Sequence, residues 1–198
     1  MNIQEMSTIS QIEERIKESV RVKQRVLEDH DLLKKVEDAA NLLTQSLKEG
    51  GKVLFAGNGG SAADAQHLAA ELSGKFYLDR PPLPAEACHV NSSFVTAYSN
   101  DYSFARAFAR YVEAFGKPGD ILVALSTSGN SENILEAITA ARDKGMKVIG
   151  FTGRSGGKMK DLCDLLINIP STDTPRIQEL HITIGHIICE ITEKKIFG

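Results

Sequence analysis

The residues of this chain that could do chemistry sit in two loops and two helical runs. STSGNS, residues 126–131, sets three serines, a threonine and a glycine between a β-prone run and a helical one. Hydroxyls beside the unpaired N–H groups of a helix N-terminus make a cradle for a dianion, strengthened by the helix dipole. With no Walker lysine or acidic magnesium ligand nearby, the cradle suits a phosphate monoester rather than a nucleoside triphosphate. The competing reading is a serine-rich turn whose Asn130 or Ser131 caps the next helix. The second loop, GNGGS at 57–61, reads with Ala62 as GxGxxA. A dinucleotide site would want an acidic residue closing the second strand, whereas AEACHV has Glu86 near its start and His89 near its end, so that reading ranks low.

His67 and Glu71 stand four apart on the helical run after the GNGGS loop and project from one face. At 100° per residue, Ala65, Leu68 and Leu72 fall on the core side and Asp64, His67 and Glu71 opposite. Alone, such a pair is an ordinary solvated ion pair. Its position beside a ligand loop lets it line a cleft against a neighbouring subunit. The last helical run, RIQELHITIGHIICEITEKK at 176–195, is apolar on two sides. Ile177, Leu180, Ile184, Ile187, Ile188 and Ile191 form one stripe, with Ile182, Gly185 and Cys189 roughly opposite. A helix apolar on both sides is buried on both sides, which argues for an oligomer. Gln178 and His186 flank the second stripe and could meet a neighbouring site. His181 lies nearer the core stripe and reads as a packing histidine; the pattern leaves His186 ambiguous.

These residues need a frame. Short β-prone runs, KVLFA, AEACHV, ILVALS, KVIGFT and LLINIP, alternate with helical patterns at 62–73, 103–115, 131–144 and 176–195. That alternation predicts an α/β fold, a three-layer αβα sandwich around a five-stranded parallel sheet. Ligands of such folds bind beyond the carboxyl ends of the strands, so the loops after the first and third strands should point into one site. Ahead of the sheet, apolar residues recur at three- and four-residue steps (Ile9, Ile12, Ile16, Val20; then Leu32, Leu33, Val36, Ala40, Leu43, Leu47), predicting two helices broken near EDHD at 28–31. Residues 1–50 thus read as a helical oligomerisation segment and 51–198 as the α/β domain. Little else in the chain is positioned to cover the first helix, so packing on another subunit is expected.

Composition narrows the partners. At 198 residues and 42% hydrophobic side chains, the chain can bury one full-sized core. A formal charge of −3 provides no basic field, so neither nucleic acid nor an anionic membrane is suggested as a partner. No apolar run approaches the ~20 residues of a membrane-spanning helix, and the polar N-terminus is unlike a signal peptide, which implies a cytoplasmic protein. Cys88, Cys163 and Cys189, odd in number and widely spaced, read as reduced thiols rather than as disulfide or zinc-thiolate partners.

GNGGSAADAQHLAAELSG at 57–74, SND at 99–101, LSTSGNS at 125–131, GGKM at 156–159 and RIQELHITIGHIICEI at 176–191 together resemble the phosphoheptose (sedoheptulose 7-phosphate) isomerases of the sugar isomerase (SIS) domain class. The likeness runs essentially the length of the chain and is weakest in the first 30 residues. It implies a homotetramer with active sites between subunits and one zinc ion per subunit. The family's zinc ligands fall on His67, Glu71, Gln178 and His186. Its phosphate contacts fall on Ser126, Thr127, Ser128 and Ser131, and its other substrate contacts on Asn58, Gly59, Gly60, Ser61, Glu71, Asn100, Asp101 and Gln178. Lys75 stands where some members carry arginine; it keeps the charge without the bidentate geometry. The loop STDTPR, containing Asp173, is variable in the family.

The reaction implied converts sedoheptulose 7-phosphate into D-glycero-D-manno-heptose 7-phosphate through a cis-enediol. It is the first step towards ADP- or GDP-heptose for lipopolysaccharide, capsule or another glycoconjugate. Moving a proton between C1 and C2 needs a base at carbon, an acid at oxygen and a means of polarising the carbonyl. The expectation is Glu71 as base, His186 as the hydroxyl-proton shuttle and zinc as Lewis acid. The alternative is a replication regulator of the same fold that binds an initiator protein without catalysis; its branch lacks the metal positions that this chain retains. A DNA-linked sugar-phosphate sensor is disfavoured because the 50 residues before the sheet carry no basic recognition helix.

Overall fold

A computed structural model describes residues 7–198; the first six positions of the expected 1–50 segment lie outside the described residues. Two helices open the chain, α1 (Thr8–Glu28) and α2 (His30–Lys48). They part at Asp29, whose carboxylate accepts the Leu32 N–H at 2.9 Å and so caps α2. The break is therefore a local capping choice made by the EDHD run.

The sheet has strands β1 (Val53–Ala56), β2 (Ala85–Ala87), β3 (Ile121–Leu125), β4 (Lys147–Thr152) and β5 (Leu165–Asn168), in the order β2-β1-β3-β4-β5. All pairings are parallel. Helices α3 (Gly60–Ser73), α4 (Ser92–Asp101), α5 (Phe104–Phe115), α6 (Glu132–Asp143) and α7 (Thr174–Phe197), with a 3₁₀ turn at Gly157–Asp161, connect and cover them. Strand residues alternate between the two faces. Val53, Phe55, Val123 and Phe151 pack on one side with α2, α3 and α7, while Leu54, Ala56, Leu122 and Val148 pack on the other with α5 and α6. Both faces being covered explains why β1 and β3 read as unbroken apolar runs. The three-layer αβα architecture is thus as expected.

Two details differ from the sequence reading. The second strand stops at Ala87, so His89 lies beyond it, and SSFVTAYSND forms the unforeseen helix α4. Asn91 caps α4 by accepting the Phe94 N–H at 3.0 Å, and stacked rings of Phe94, Tyr98 and Tyr102 support it without any fully buried residue. Only Phe94 and Tyr98, one turn apart and partly buried, lean on the core, a stripe too short for periodicity to detect. The functional consequence of the topology lies between β1 and β3. From β1 the chain crosses to β2 on one side, and from β3 to β4 and β5 on the other, which opens a crevice at their carboxyl ends.

Candidate active site and metal centre

Both chemistry-bearing loops open at this crevice, and side chains tie them together. Asn58 and Asn133 exchange amide hydrogen bonds of 2.8 Å in both directions, joining the first loop to the first turn of α6. In STSGNS, Ser126 is buried and its hydroxyl lies 2.9 Å from that of Ser131 and 3.4 Å from that of Ser128. Gly129 has φ +66°, and a Cβ there would fall 2.2 Å from the Gly156 carbonyl oxygen; only glycine permits this turn beside the 156–157 backbone.

The helix caps separate site helices from structural ones. Side chains of Ser7, Asp29, Asn91 and Ser103 cap α1, α2, α4 and α5. Gly59 and Ser131, the N-cap residues of α3 and α6, make no such bond. Ser131 spends its hydroxyl on Ser126 instead, which leaves first-turn N–H groups of α3 and α6 open at the crevice, as an anion cradle requires. Thr127 and Ser128 also line a cavity of about 300 Å³ with Gly153, Arg154, Ser171 and Thr174. Arg154 puts an exposed cation next to the cradle. Its signal in the sequence is a basic residue two positions after the end of β4. Lys75 lies exposed on the segment after α3, and Asp173 holds the N-cap position of α7 without a side-chain bond.

Helices α3 and α7 lie side by side, and their facing residues converge. His67 Nε2 is 3.0 Å from Glu71 Oε1, His186 Nε2 is 3.7 Å from the same oxygen, and the two imidazole Nε2 atoms are 3.4 Å apart. Donors bound 2.0–2.2 Å from a tetrahedral ion stand roughly 3.3–3.6 Å from one another, so this triangle is close to the size zinc needs. The donor set, two imidazoles and one carboxylate within 4.8 Å, also fits that ion. Burial lowers the His186 pKa, the neighbouring His67 adds to the effect and Glu71 opposes it. The shift favours the neutral imidazole, the form that binds metal. Its ring meets His67 edge-on at 4.8 Å and is stacked by Phe76 at 5.7 Å.

The other expected site residues are placed differently. Gln178 precedes His186 by eight residues, about 12 Å along α7, and its amide donates to Ser61 Oγ at 3.5 Å beside Gly60. Asn100 and Asp101 end α4, exposed, and bond to each other at 3.0 Å. His181 is fully buried with Nε2 3.2 Å from the Thr152 carbonyl, a packing histidine as its position suggested. Cys88 and Cys189 are buried, Cys163 partly so, and all three are free thiols. Among the described residues no helix is long and apolar enough to cross a membrane.

Comparison with known proteins identifies the family. Residues 14–153 match the SIS domain. A phosphoheptose isomerase of Rhodospirillum rubrum is 59% identical over 158 residues, covering 80% of this chain and 84% of its own. One from Clostridium acetobutylicum is 51% identical over 187 residues, covering 94% and 95%. Among solved structures, a phosphoheptose isomerase from Francisella tularensis matches with a TM-score of 0.91 at 38% identity, over 96% of this chain and 100% of that one. The enzyme from Neisseria gonorrhoeae matches at 0.87 and 43% identity, over 93% and 97%. Matched over most of its length by the family model and by relatives of this kind, the chain belongs to the SIS domain family and, within it, to the phosphoheptose isomerases.

Proposed function

We propose that the chain interconverts sedoheptulose 7-phosphate and D-glycero-D-manno-heptose 7-phosphate through a cis-enediol, opening a route to nucleotide-activated heptose. The observation that carries this reading is the meeting of His67, Glu71 and His186, brought together from α3 and α7. No observation favours the initiator-binding alternative.

Ser126, Thr127, Ser128 and Ser131 hold the phosphate, using their hydroxyls and the open N–H groups of α6. Asn58, Gly59, Gly60 and Ser61 meet the sugar hydroxyls at the mouth of α3, and Asn100 and Asp101 complete the sugar contacts. Zinc bound by His67, Glu71 and His186 would act as a Lewis acid on the carbonyl. Gln178, which the family resemblance also offers as a ligand, stands about 12 Å from His186 along α7 against Ser61 and serves the substrate contact equally expected of it. Glu71 takes the carbon-bound proton from one of C1 and C2 and returns it to the other. His186 carries the hydroxyl proton between the adjacent oxygens. Residues 1–50 form the oligomerisation segment of a homotetramer with the active sites between subunits, and residues 51–198 the isomerase domain. The exposed isoleucine stripe of α1 supports that assembly. Three free cysteines agree with a cytoplasmic setting.

The test is an assay with sedoheptulose 7-phosphate on protein of measured metal content, with and without chelator. The aldose product should form with metal-replete protein, disappear on chelation and return with zinc. Metal-replete protein that forms no aldose would overturn the reading.

A further inference from the structure

The segment joining α3 to β2 has no regular secondary structure, yet it is pinned from below by one side chain. Glu193, near the end of α7, is 1% exposed. Its Oε1 accepts the Phe76 N–H at 3.1 Å, and its Oε2 accepts those of Tyr77 at 2.8 Å and Leu78 at 3.0 Å. Three successive backbone N–H groups closing on one anion form a nest. Arg80 Nε completes the set with a 2.8 Å bond to Oε1, its side chain only 2% exposed.

The same guanidinium reaches the end of α3. It donates to the Leu72 carbonyl at 2.7 Å and to the Glu71 carbonyl at 2.8 Å. A cation on the last carbonyls of a helix satisfies groups that have no partner within it. One of those carbonyls belongs to the metal-site carboxylate residue. Glu193 itself follows His186 by two turns and so shares its face of α7. The strap held between these points carries Phe76, whose ring stacks on His186 at 5.7 Å with an interplanar angle of 19°. One buried ion pair therefore fastens the helix end bearing Glu71, the helix face bearing His186 and the ring that covers His186.

We propose that Phe76, Arg80 and Glu193 are positioning residues of the metal centre: clamp and ring together hold the His186 imidazole and the Glu71 turn in place before the ion arrives. This rests on the metal-centre reading above. Without the ring, ordering the imidazole would have to be paid at the moment of binding, and support of this kind changes metal affinity by roughly 10–100-fold. A clamp that served stability alone would move the melting temperature and leave affinity untouched.

The test titrates the metal-stripped, full-length chain with Zn²⁺ by calorimetry, alongside circular dichroism of the metal-free protein. Phe76→Leu, which leaves the ion pair intact, should weaken Zn²⁺ binding roughly ten-fold or more, and Phe76→Tyr should restore it. Glu193→Gln should weaken it similarly; if that variant fails to fold, the Phe76 pair decides alone. Ile138→Val, in the core on the opposite face of the sheet, should lower the melting temperature and leave Zn²⁺ affinity unchanged. Wild-type affinity in folded Phe76→Leu would overturn the positioning role while the metal centre stands. A wild-type chain that binds no Zn²⁺ would overturn the metal centre, and the positioning role with it.

Discussion

Glu71 Oε1 touches two imidazoles, at 3.0 Å and 3.7 Å, so in the proposed mechanism a single oxygen both anchors the cluster and leaves it for a proton. Such a carboxylate must change partners during turnover, and an amide in its place can keep the contacts but cannot take the proton. Glu71→Gln and His186→Gln are therefore expected to lower kcat by roughly 10²–10⁴-fold, with inorganic phosphate still binding at the serine loop. Steady-state kinetics with phosphate as competitor separates the two effects, and near-normal turnover in either variant would rule out its proton-transfer role. His181 shows what a buried imidazole on the same helix does when it is not part of the site. Desolvation pulls its pKa down to about 4, against a weak opposing pull from the Thr152 carbonyl. In the unfolded chain it titrates near 6.5. Between those values the unfolded state binds a proton that the folded state refuses. The contribution is thus fully present above about pH 6.5 and is lost as the pH falls towards 4, amounting in full to roughly 3 kcal/mol. Unfolding free energy measured against pH should show that acid limb, and His181→Gln, which keeps a donor for Thr152, should flatten it.

At the scale of elements, the site depends on how closely α7 approaches α3. Gly185 sets that distance, since a Cβ on it would fall 2.5 Å from Leu68 Cδ1 and 2.6 Å from Leu68 Cδ2. Leu68 is itself 1% exposed and has little room to move. Gly185→Val should cost about 1–3 kcal/mol by overpacking and part His186 from His67 and Glu71, weakening Zn²⁺ binding. Adding Leu68→Ala removes the clash and should recover part of that affinity; a double variant no better than the single would place the spacing elsewhere. The elements themselves were largely legible. The strand runs and the α1/α2 break could be read because apolar periodicity and the Asp29 cap are local signals. Helix α4 was not legible, because a single turn of core-facing residues, Phe94 and Tyr98, with ring stacking and one cap, makes too short a pattern. The site was legible only in halves. His67 and Glu71 have the spacing of a solvated pair, and nothing local says that α7 brings His186 against them. Resemblance to a family supplied that link, and the geometry of α3 beside α7 gives its physical basis. Arg80 and Glu193 had no signature at all, since a buried ion pair between a loop and a helix end has no period.

At the scale of the whole molecule, α1 presents a problem that one copy of the chain does not solve. Only Val22 and Val26 of this 21-residue helix are buried, while Ile9, Ile12, Ile16 and Val20 are 71%, 54%, 60% and 55% exposed. Beside it, Leu27, Leu33 and Ile187 border an apolar groove of about 470 Å³ between α1, α2 and α7. Burying a Val or Ile side chain fully contributes about 1.5–3 kcal/mol, so the four residues of each stripe could offset much of the cost of association. Contiguous apolar surface of this kind marks an interface. The second apolar side of α7, read in the sequence as a sign of oligomerisation, is covered within the chain instead, Gly185 and Cys189 lying against Leu68 of α3; it is Ile187 of the other stripe that opens onto the groove. The stripe predicts association, and on the homotetramer proposed above the wild-type chain should sediment as a species of four 21.6 kDa copies. Ile12→Glu with Ile16→Glu places two charges per copy on the stripe, where burial without partners is costly, and should shift sedimentation to smaller species. Neither residue belongs to the His67–Glu71–His186 cluster, so the dissociated variant should still bind Zn²⁺. Its turnover should nevertheless fall if, as proposed, the active sites lie between subunits and a lone copy holds an incomplete one. A dissociated variant with full activity would mean that one chain holds a whole site, and an undissociated one would mean that the stripe is not the interface.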